Sequence, residues 1–140
     1  MKIGVDVHGT IDRCPDLFRF LIRQWRKDGH TVVIVSGPPK DGILLDLASM
    51  NYQSGREYDE IVSVVDFLKD NGALMHYNET TGSWWTDEDK WVSSKGLICD
   101  YNNIDVLIDD TEYYFEHLNP FVKGILIKSM WSVLSLLWRI

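Results

Sequence analysis

The sequence has few cysteines, few basic residues and no long uninterrupted apolar run. Its two cysteines, Cys14 and Cys99, are too few for the disulfide framework of a small secreted domain, so we expect reduced thiols and a cytoplasmic location. Lysine and arginine number 14 against 21 acidic residues, which gives a formal net charge of −7. No basic stripe accompanies this balance, and the composition therefore argues against a protein that binds long nucleic acid.

The sequence also offers no good candidate for a membrane span. The most apolar segment is the tail at 124–140, which is too short for a span and is interrupted by Lys128 and Arg139. No long apolar stretch of the leader type follows Lys2, so we expect no signal peptide. The tail is instead typical of a helix over 130–139 that closes the core, with a homodimer contact through this C-terminal helix as the alternative.

What the sequence does contain is an alternation of apolar strands and amphipathic helices, in a chain whose 140 residues suit one domain. Strands are predicted at 2–6, 31–35, 104–108 and 124–128, with 73–77 as a further candidate. Helices are predicted at 15–29, 41–50, 58–72, the second half of 89–103, 111–118 and 130–139. This pattern predicts a doubly wound, Rossmann-like α/β/α fold with a mainly parallel sheet of about five strands.

A tryptophan-rich segment within about 73–92 interrupts this alternation. Residues 78–89 predict a turn or a small hairpin with Thr81-Gly82 at its tip, and the tryptophans are Trp84, Trp85 and Trp91. The rings either pack the hairpin over the sheet or form a small lid that stacks on a nucleobase or another flat substrate. We therefore expect a single domain over 1–140 that carries this segment as its only lid.

Polar side chains follow several of the predicted strands. Asp6 follows the first, Ser36 the second, and Asp109 and Asp110 follow the strand at 104–108. Because ligands of such sheets bind beyond the carboxyl ends of the strands, we expect these side chains to converge there. Lys95 should join them, because its distance from the acids along the chain favours it over Lys90. Carboxylates can hold Mg²⁺, while a hydroxyl and an ammonium can hold the oxygens of a phosphate. The sequence thus predicts a magnesium and phosphate site.

Four pieces of sequence, in this order, are similar to the haloacid dehalogenase (HAD) superfamily of phosphohydrolases. They are "VDVHGTID" (5–12), "VVIVSG" (32–37), Lys95 and "VLIDD" (106–110). The family pattern begins Asp-x-Asp-Gly-Thr, continues with Ser or Thr after the second strand, then a Lys, then paired acids. The resemblance frames 1–110 and extends over the chain, and it implies a HAD-like domain with a minimal cap or none.

The resemblance also implies roles for individual residues. Asp6 would attack phosphorus and form an aspartyl-phosphate, which divides one displacement into two easier ones. Mg²⁺ would be held by Asp6, by the backbone carbonyl of His8, and by Asp109 and Asp110. Ser36 would bind a phosphoryl oxygen, and Lys95 would offset the charge of Asp6 and the phosphate. These roles are sufficient in principle, because phosphoryl transfer depends mainly on positioning and electrostatics.

His8 is where the sequence departs from the family, which has a second acid at this position. A backbone carbonyl can ligate a cation whatever the side chain, and imidazole is well suited to proton transfer near neutral pH. We therefore expect a Mg²⁺-dependent phosphomonoester hydrolase with His8 as general acid and base. The alternatives are a phosphotransferase or slow hydrolase, and a non-catalytic domain that binds phosphate or a partner protein. Asp12 is expected only to brace the turn.

The room available for a lid bears on the size of the substrate. The segment between the first two strands is filled by one helix, so no cap domain fits there, and only a small lid fits later. The "LIDD" ending (107–110) is also similar to that of small nucleotidase-like members of the superfamily. An open site would also suit a large substrate, such as a phosphorylated nucleic-acid end or a phosphoprotein. We expect a small phosphorylated substrate, and fold alone does not determine which one.

Overall fold

Five parallel strands form one sheet in the computed structural model of the protein, which describes residues 1–140. The chain has strands β1 (Lys2–Val5), β2 (Thr31–Ser36), β3 (Glu60–Ser63), β4 (His76–Asn78), β5 (Ser83–Trp85), β6 (Val106–Asp109) and β7 (Lys123–Leu126). The main sheet has the order β3-β2-β1-β6-β7, and all four of its pairings are parallel. β4 and β5 pair only with each other, as an antiparallel hairpin.

Helices cover both faces of this sheet. They are α1 (Pro15–Lys27), α2 (Lys40–Ser49), α3 (Val64–Asp70), α4 (Glu88–Asn102) and α5 (Met130–Arg139), with short 3-10 helices at Ile11–Arg13 and Glu112–His117. Pro15 opens α1, where its missing N–H leaves no hydrogen bond unmade. α4 has two acidic residues in its first turn, which suits the positive end of the helix dipole, and Asn103, in the left-handed conformation, caps its C-terminus.

The strands divide their buried side chains between two hydrophobic clusters. Alternate residues of β2 illustrate this, since Val32 and Ile34 belong to one cluster while Val33 and Val35 belong to the other. The larger cluster includes side chains of α1, α2 and α5, and the smaller one includes side chains of α3 and α4. The arrangement is a three-layer α/β/α fold of the Rossmann-like type, and the predicted fold class is confirmed.

Some predicted element boundaries are wrong. The single helix expected over 58–72 is instead β3 followed by α3, because Glu60–Ser63 pairs with β2 along its whole length. Ser63 ends the strand and accepts a hydrogen bond from the Asp66 N–H at 3.1 Å, which caps α3. Pairing with a neighbouring strand thus prevails over a helical pattern in the first half of the segment.

The other differences lie around the tryptophan-rich segment and the following strand. The candidate strand at 73–77 begins only at His76 and belongs to the β4–β5 hairpin rather than to the main sheet. The hairpin prediction itself is confirmed, with Gly82 at positive φ in its tip. α4 spans all of Glu88–Asn102 rather than the second half of 89–103, and the helix expected at 111–118 is a 3-10 helix.

The C-terminal helix α5 packs one side against the core, as predicted. Val133 and Leu136 are fully buried, whereas Trp131 and Trp138 are largely exposed on the other side. None of the helices combines the length and the apolar character needed to cross a membrane.

Glu57, in the loop before β3, is a fully buried acid that joins this loop to α1. It accepts hydrogen bonds from Arg23 Nη2 at 2.6 Å and from the Gln53 N–H at 2.7 Å. Burial opposes its charge, but these partners prevail and hold the pKa of Glu57 below its ordinary value of 4.5. The charge of Glu57 therefore stabilises the fold above that pH, and the stabilisation is lost as the pH falls below it.

We expect Glu57→Ala to lower the free energy of unfolding by about 2 kcal/mol near neutral pH, because it removes charge-assisted hydrogen bonds from the half-exposed Arg23 and from the Gln53 N–H. Urea denaturation at about pH 7 and about pH 3.5 measures this, and the difference between variant and parent should shrink at the lower pH. Glu60→Ala is the control, since Glu60 forms a more exposed ion pair with Lys2 at 3.1 Å. An equal loss of stability at both pH values would contradict this account of Glu57.

Candidate active site and cation-binding cluster

The candidate site lies where the order of strands reverses. From β1 the chain proceeds through β2 and β3 on one side of the sheet, and then through β6 and β7 on the other. Crevices at the carboxyl edge of such a switch point are the usual ligand sites of open α/β sheets. Asp6 directly follows β1 and Asp109 ends β6, so both acids stand at this edge on adjacent strands.

Lys95 joins these two acids inside the protein. Its Nζ donates to Asp6 Oδ1 at 3.1 Å and also to Asp109 Oδ2, and all three residues are buried. The remaining oxygens are also used, since Asp6 Oδ2 accepts from Thr10 Oγ1 at 3.3 Å and Asp109 Oδ1 from the Thr111 N–H at 3.0 Å. The sequence predicted that Lys95 rather than Lys90 would reach the acids, and Lys90 is exposed.

Asp110 completes a group of three acids that could hold a cation. Asp6, Asp109 and Asp110 can each offer one carboxylate oxygen, and these oxygens lie within 4.8 Å of one another. Asp110 is only partly buried, and its Oδ1 accepts from Thr111 Oγ1 at 3.2 Å. An all-oxygen set of this kind is the chemistry that a hard divalent cation such as Mg²⁺ prefers.

The charges of the cluster do not balance within the protein. Burial raises the pKa of Asp6 to about 7, with Asp109 adding to the shift and Lys95 opposing it. Burial likewise raises the pKa of Asp109. Burial disfavours the charge of Lys95, but Asp6 and Asp109 more than offset this and raise its pKa. One ammonium thus faces three carboxylates, and a divalent cation would restore neutrality when all three are ionised.

The turn after β1 brings its backbone close to Asp110. Gly9 has φ +81°, and a Cβ at this position would collide with the Asp110 carboxyl group, so only glycine fits. Asp12 Oδ1 accepts a hydrogen bond from the Gly9 N–H at 2.7 Å, which confirms that Asp12 braces the turn. Hydrogen bonds within the turn use the carbonyls of Asp6, Val7 and Gly9 and leave that of His8 unused.

The His8 side chain is not part of the buried cluster. Its imidazole is 53% exposed, and Nε2 lies 2.9 Å from Asp46 Oδ2 on α2. A carboxylate can only accept a hydrogen bond, so this contact assigns a proton to Nε2 and leaves Nδ1 as the nitrogen that can exchange one. Sequence reasoning missed Asp46, because one acid within a helix 38 positions from His8 carries no pattern that relates the two.

Ser36 differs from every other polar side chain in the interior. It is fully buried at the end of β2, and its Oγ is the one buried side-chain nitrogen or oxygen that has no hydrogen-bond partner. The register Val5↔Ile34 puts it at the same edge of the sheet as Asp6. Native proteins rarely leave such a group unpaired, and a hydroxyl free to bind a ligand oxygen is one physical reason for an exception.

A second residue that sequence reasoning missed is Tyr114. The Lys95 ammonium lies 4.7 Å from the centre of its ring, a distance at which the cation and the π-electrons attract each other. Tyr114 is buried in the 3-10 helix that follows Asp110. It therefore closes one side of the cluster. An aromatic residue four positions after the paired acids gave no distinct signal in the sequence.

Comparisons with known proteins add little to this description. No protein-family model matches the chain, and no curated protein does. One similar solved structure, described as "Structure of MT0777", covers 99% of this chain and 98% of its own, with 11% identical residues and a TM-score of 0.46. Likeness at that level carries no functional assignment, and the function must be inferred from the side chains themselves.

Proposed function

We propose that the protein is a Mg²⁺-dependent phosphomonoester hydrolase that works through an aspartyl-phosphate on Asp6. The observation that carries this proposal is the buried contact of Lys95 with both Asp6 and Asp109, at the switch point of the sheet, beside the third acid Asp110. A structural ion cluster would need no third acid, no excess negative charge and no unpaired Ser36 hydroxyl at the same edge of the sheet. In a phosphate site, the third acid and the excess negative charge can bind a cation, and the Ser36 hydroxyl can bind a phosphoryl oxygen.

The proposed reaction assigns one task to each residue. A carboxylate oxygen of Asp6 bonds to phosphorus while the bond from phosphorus to the leaving oxygen breaks. Ser36 and Lys95 donate hydrogen bonds to the phosphoryl oxygens, whose charge is spread over the group during transfer. Asp6, Asp109, Asp110 and the carbonyl of His8 would hold Mg²⁺, which when bound supplies positive charge that keeps Asp6 ionised and offsets the phosphoryl charge.

His8 supplies the proton transfers in this proposal. Nδ1 gives a proton to the leaving oxygen as the aspartyl-phosphate forms. A water molecule then bonds to phosphorus and gives its proton to Nδ1, the bond between phosphorus and Asp6 breaks, and inorganic phosphate leaves. Asp46 is a positioning residue, because its contact with Nε2 orients the ring and fixes its tautomer.

The direct test is release of inorganic phosphate from an aryl phosphate by the purified chain. We expect release in the presence of Mg²⁺, and none after a chelator removes the cation. The phosphotransferase alternative predicts accumulation of phosphate on Asp6 and its transfer to an added alcohol. Phosphate binding without any turnover, over several pH values and a panel of esters, would support the non-catalytic alternative and contradict the hydrolase.

We expect His8→Ala to lower kcat by about 10² to 10⁴, the usual contribution of a general acid and base. His8→Asp should preserve or raise kcat, because a carboxylate can perform the same transfers. Asp46→Asn should lower kcat less than His8→Ala and leave KM unchanged, since the imidazole remains but is less well oriented. Steady-state kinetics measures these effects, with Asp46→Glu as the conservative control. A kcat in His8→Ala equal to that of the parent would show that His8 does not carry out the proton transfers.

The proposal also includes the substrate class, the location and the oligomeric state of the protein. A small phosphorylated substrate agrees with the cluster, and the net charge of −7 disfavours long nucleic acid. A reducing, cytoplasmic location is consistent with two free thiols at Cys14 and Cys99. A homodimer would use the exposed side of α5, which presents Trp131 and Trp138.

A further inference from the structure

An aromatic cavity of about 660 Å³ lies between the hairpin, the start of α4 and the second 3-10 helix. Its volume is within the range of small-molecule sites, roughly 300–1,000 Å³. Its wall includes Trp84, Trp85, Trp91, Tyr113, Glu88 and Glu116. Four large aromatic side chains around one cavity exceed what is needed to anchor a hairpin of two three-residue strands.

This aromatic cavity adjoins the acid cluster on two sides. Trp91 is one turn before Lys95 on α4, so the two side chains share a face of that helix. The Trp91 ring also lies 3.8 Å from the position of a Cβ at Gly37, the residue after Ser36. On the other side, the rings of Tyr113 and Tyr114 are 4.5 Å apart, and Tyr114 contacts Lys95. The cavity therefore lies beside the cluster, and Trp91 borders both the cavity and the residue that follows Ser36.

The hairpin tryptophans are held by neighbours outside the cavity. His76 stacks on Trp85 with ring centres 4.5 Å apart, and Lys69 Nζ lies 4.1 Å from the centre of the Trp84 ring. Tyr77 packs beside Trp84 with ring centres 5.0 Å apart. Rings fixed in this way can offer a flat surface without losing much side-chain freedom when a ligand binds.

The polar residues of the wall include two acids, Glu88 and Glu116, beside Thr86 and His117. Glu88 and Glu116 are both exposed. Carboxylates accept hydrogen bonds and repel anions, so they favour a ligand that presents N–H donors and disfavour one with further phosphates at this end. The cavity thus suits a flat, uncharged group with amino donors.

We propose that this cavity binds the leaving group of the substrate, and that the substrate class is a nucleoside monophosphate whose base carries an amino group. The inference rests on the proposed phosphatase activity for its orientation, with the phosphate at Asp6 and the base among the aromatic rings. The base stacks on the tryptophan and tyrosine rings, and its amino group donates to Glu88 or Glu116.

The test compares kcat/KM for adenosine and cytidine monophosphates with that for glycerol phosphate, in the parent and in Tyr113→Ala and Trp85→Ala. In the parent, we expect kcat/KM to be at least about tenfold higher for the nucleotides than for glycerol phosphate. In each variant, kcat/KM for the nucleotides should fall by about fivefold to a hundredfold, while kcat/KM for glycerol phosphate stays the same. Trp131→Ala on α5 is the matched control and should change neither value. Equal use of all substrates by the parent, or equal losses on both kinds of substrate, would overturn the inference.

A second measurement separates this inference from the phosphatase proposal. Adenosine and cytidine, which have no phosphate, are titrated into the Asp6→Asn protein while its tryptophan fluorescence is recorded. Saturable quenching that is weaker in the additional variant Tyr113→Ala would support nucleoside binding in the cavity. This result would hold even if the parent protein hydrolyses no ester. Hydrolysis of glycerol phosphate with no nucleoside binding and no nucleotide preference would support the proposed phosphatase activity and contradict binding of a base in the cavity.

Discussion

Asp6→Asn is expected to lower kcat for phosphate release at least about a thousandfold, because an amide cannot form the covalent intermediate. The amide has nearly the shape of the carboxyl group, and its oxygen can still accept the hydrogen bond that Lys95 donates to Asp6 at 3.1 Å. Phosphate release by a coupled assay gives the rate. Labelled phosphate bound to protein in the parent, and absent from the variant, identifies the attacking residue.

The same substitution should not weaken the fold. Burial raises the pKa of Asp6 to about 7, so in the cation-free protein the ionised side chain costs stability as the pH rises above its unfolded value. Removing that charge should leave the thermal midpoint unchanged or higher at about pH 8. Asp16→Asn is the control, because Asp16 is fully exposed near Arg19 and far from the proposed chemistry. Parental kcat in Asp6→Asn would contradict the mechanism.

Lys95→Met is expected to lower the free energy of unfolding by about 3–5 kcal/mol, the cost of leaving buried charges without their partner. Lys95 provides the one cation in contact with Asp6 and Asp109, and all three side chains are buried. Methionine has a similar length and no charge, so the loss reports the electrostatics rather than a cavity. Thermal denaturation in the absence of divalent cations measures it, with the exposed Lys90→Met as control.

Millimolar Mg²⁺ should restore part of this stability, and the thermal midpoint should rise more in Lys95→Met than in the parent. The reason is that a cation bound to the folded state alone stabilises it by mass action, and the acids lack any other counter-charge in this variant. Asp109→Asn provides a second measurement should Lys95→Met not fold, because its midpoint should respond to Mg²⁺ less than the parent's. Unchanged midpoints in all three proteins would show that the acids do not form a cation site.

The parts of the site that follow from strand order could be predicted from the sequence. Asp6 and Asp109 come directly after apolar runs, and parallel strands bring such positions to one edge of a sheet. The distance from the acids along the chain favours Lys95 over Lys90, and Lys95 is indeed the lysine that is buried between them. These predictions needed only the period of the hydrophobic pattern and the direction of the strands.

Contacts between distant elements could not be predicted in this way. The pairing of His8 with Asp46 depends on how α2 packs beside the turn, which no local pattern encodes. The residues of β3, Glu60–Ser63, also fit a helical period, so the sequence predicts a helix there, and only their pairing with β2 decides for a strand. The unpaired hydroxyl of Ser36 likewise depends on the packing of its whole surroundings.

The β4–β5 hairpin has a consequence for how this chain could diversify. Its strands pair only with each other, and no strand of the main sheet pairs with either of them. Insertions or exchanges within residues 76–85 would therefore leave the register of β1 and β6, and with it the spacing of the acids, unaltered. The hairpin can therefore be exchanged without changing the main sheet. Replacing it with hairpins of other composition should change ligand preference and leave the proposed reaction at Asp6 unchanged.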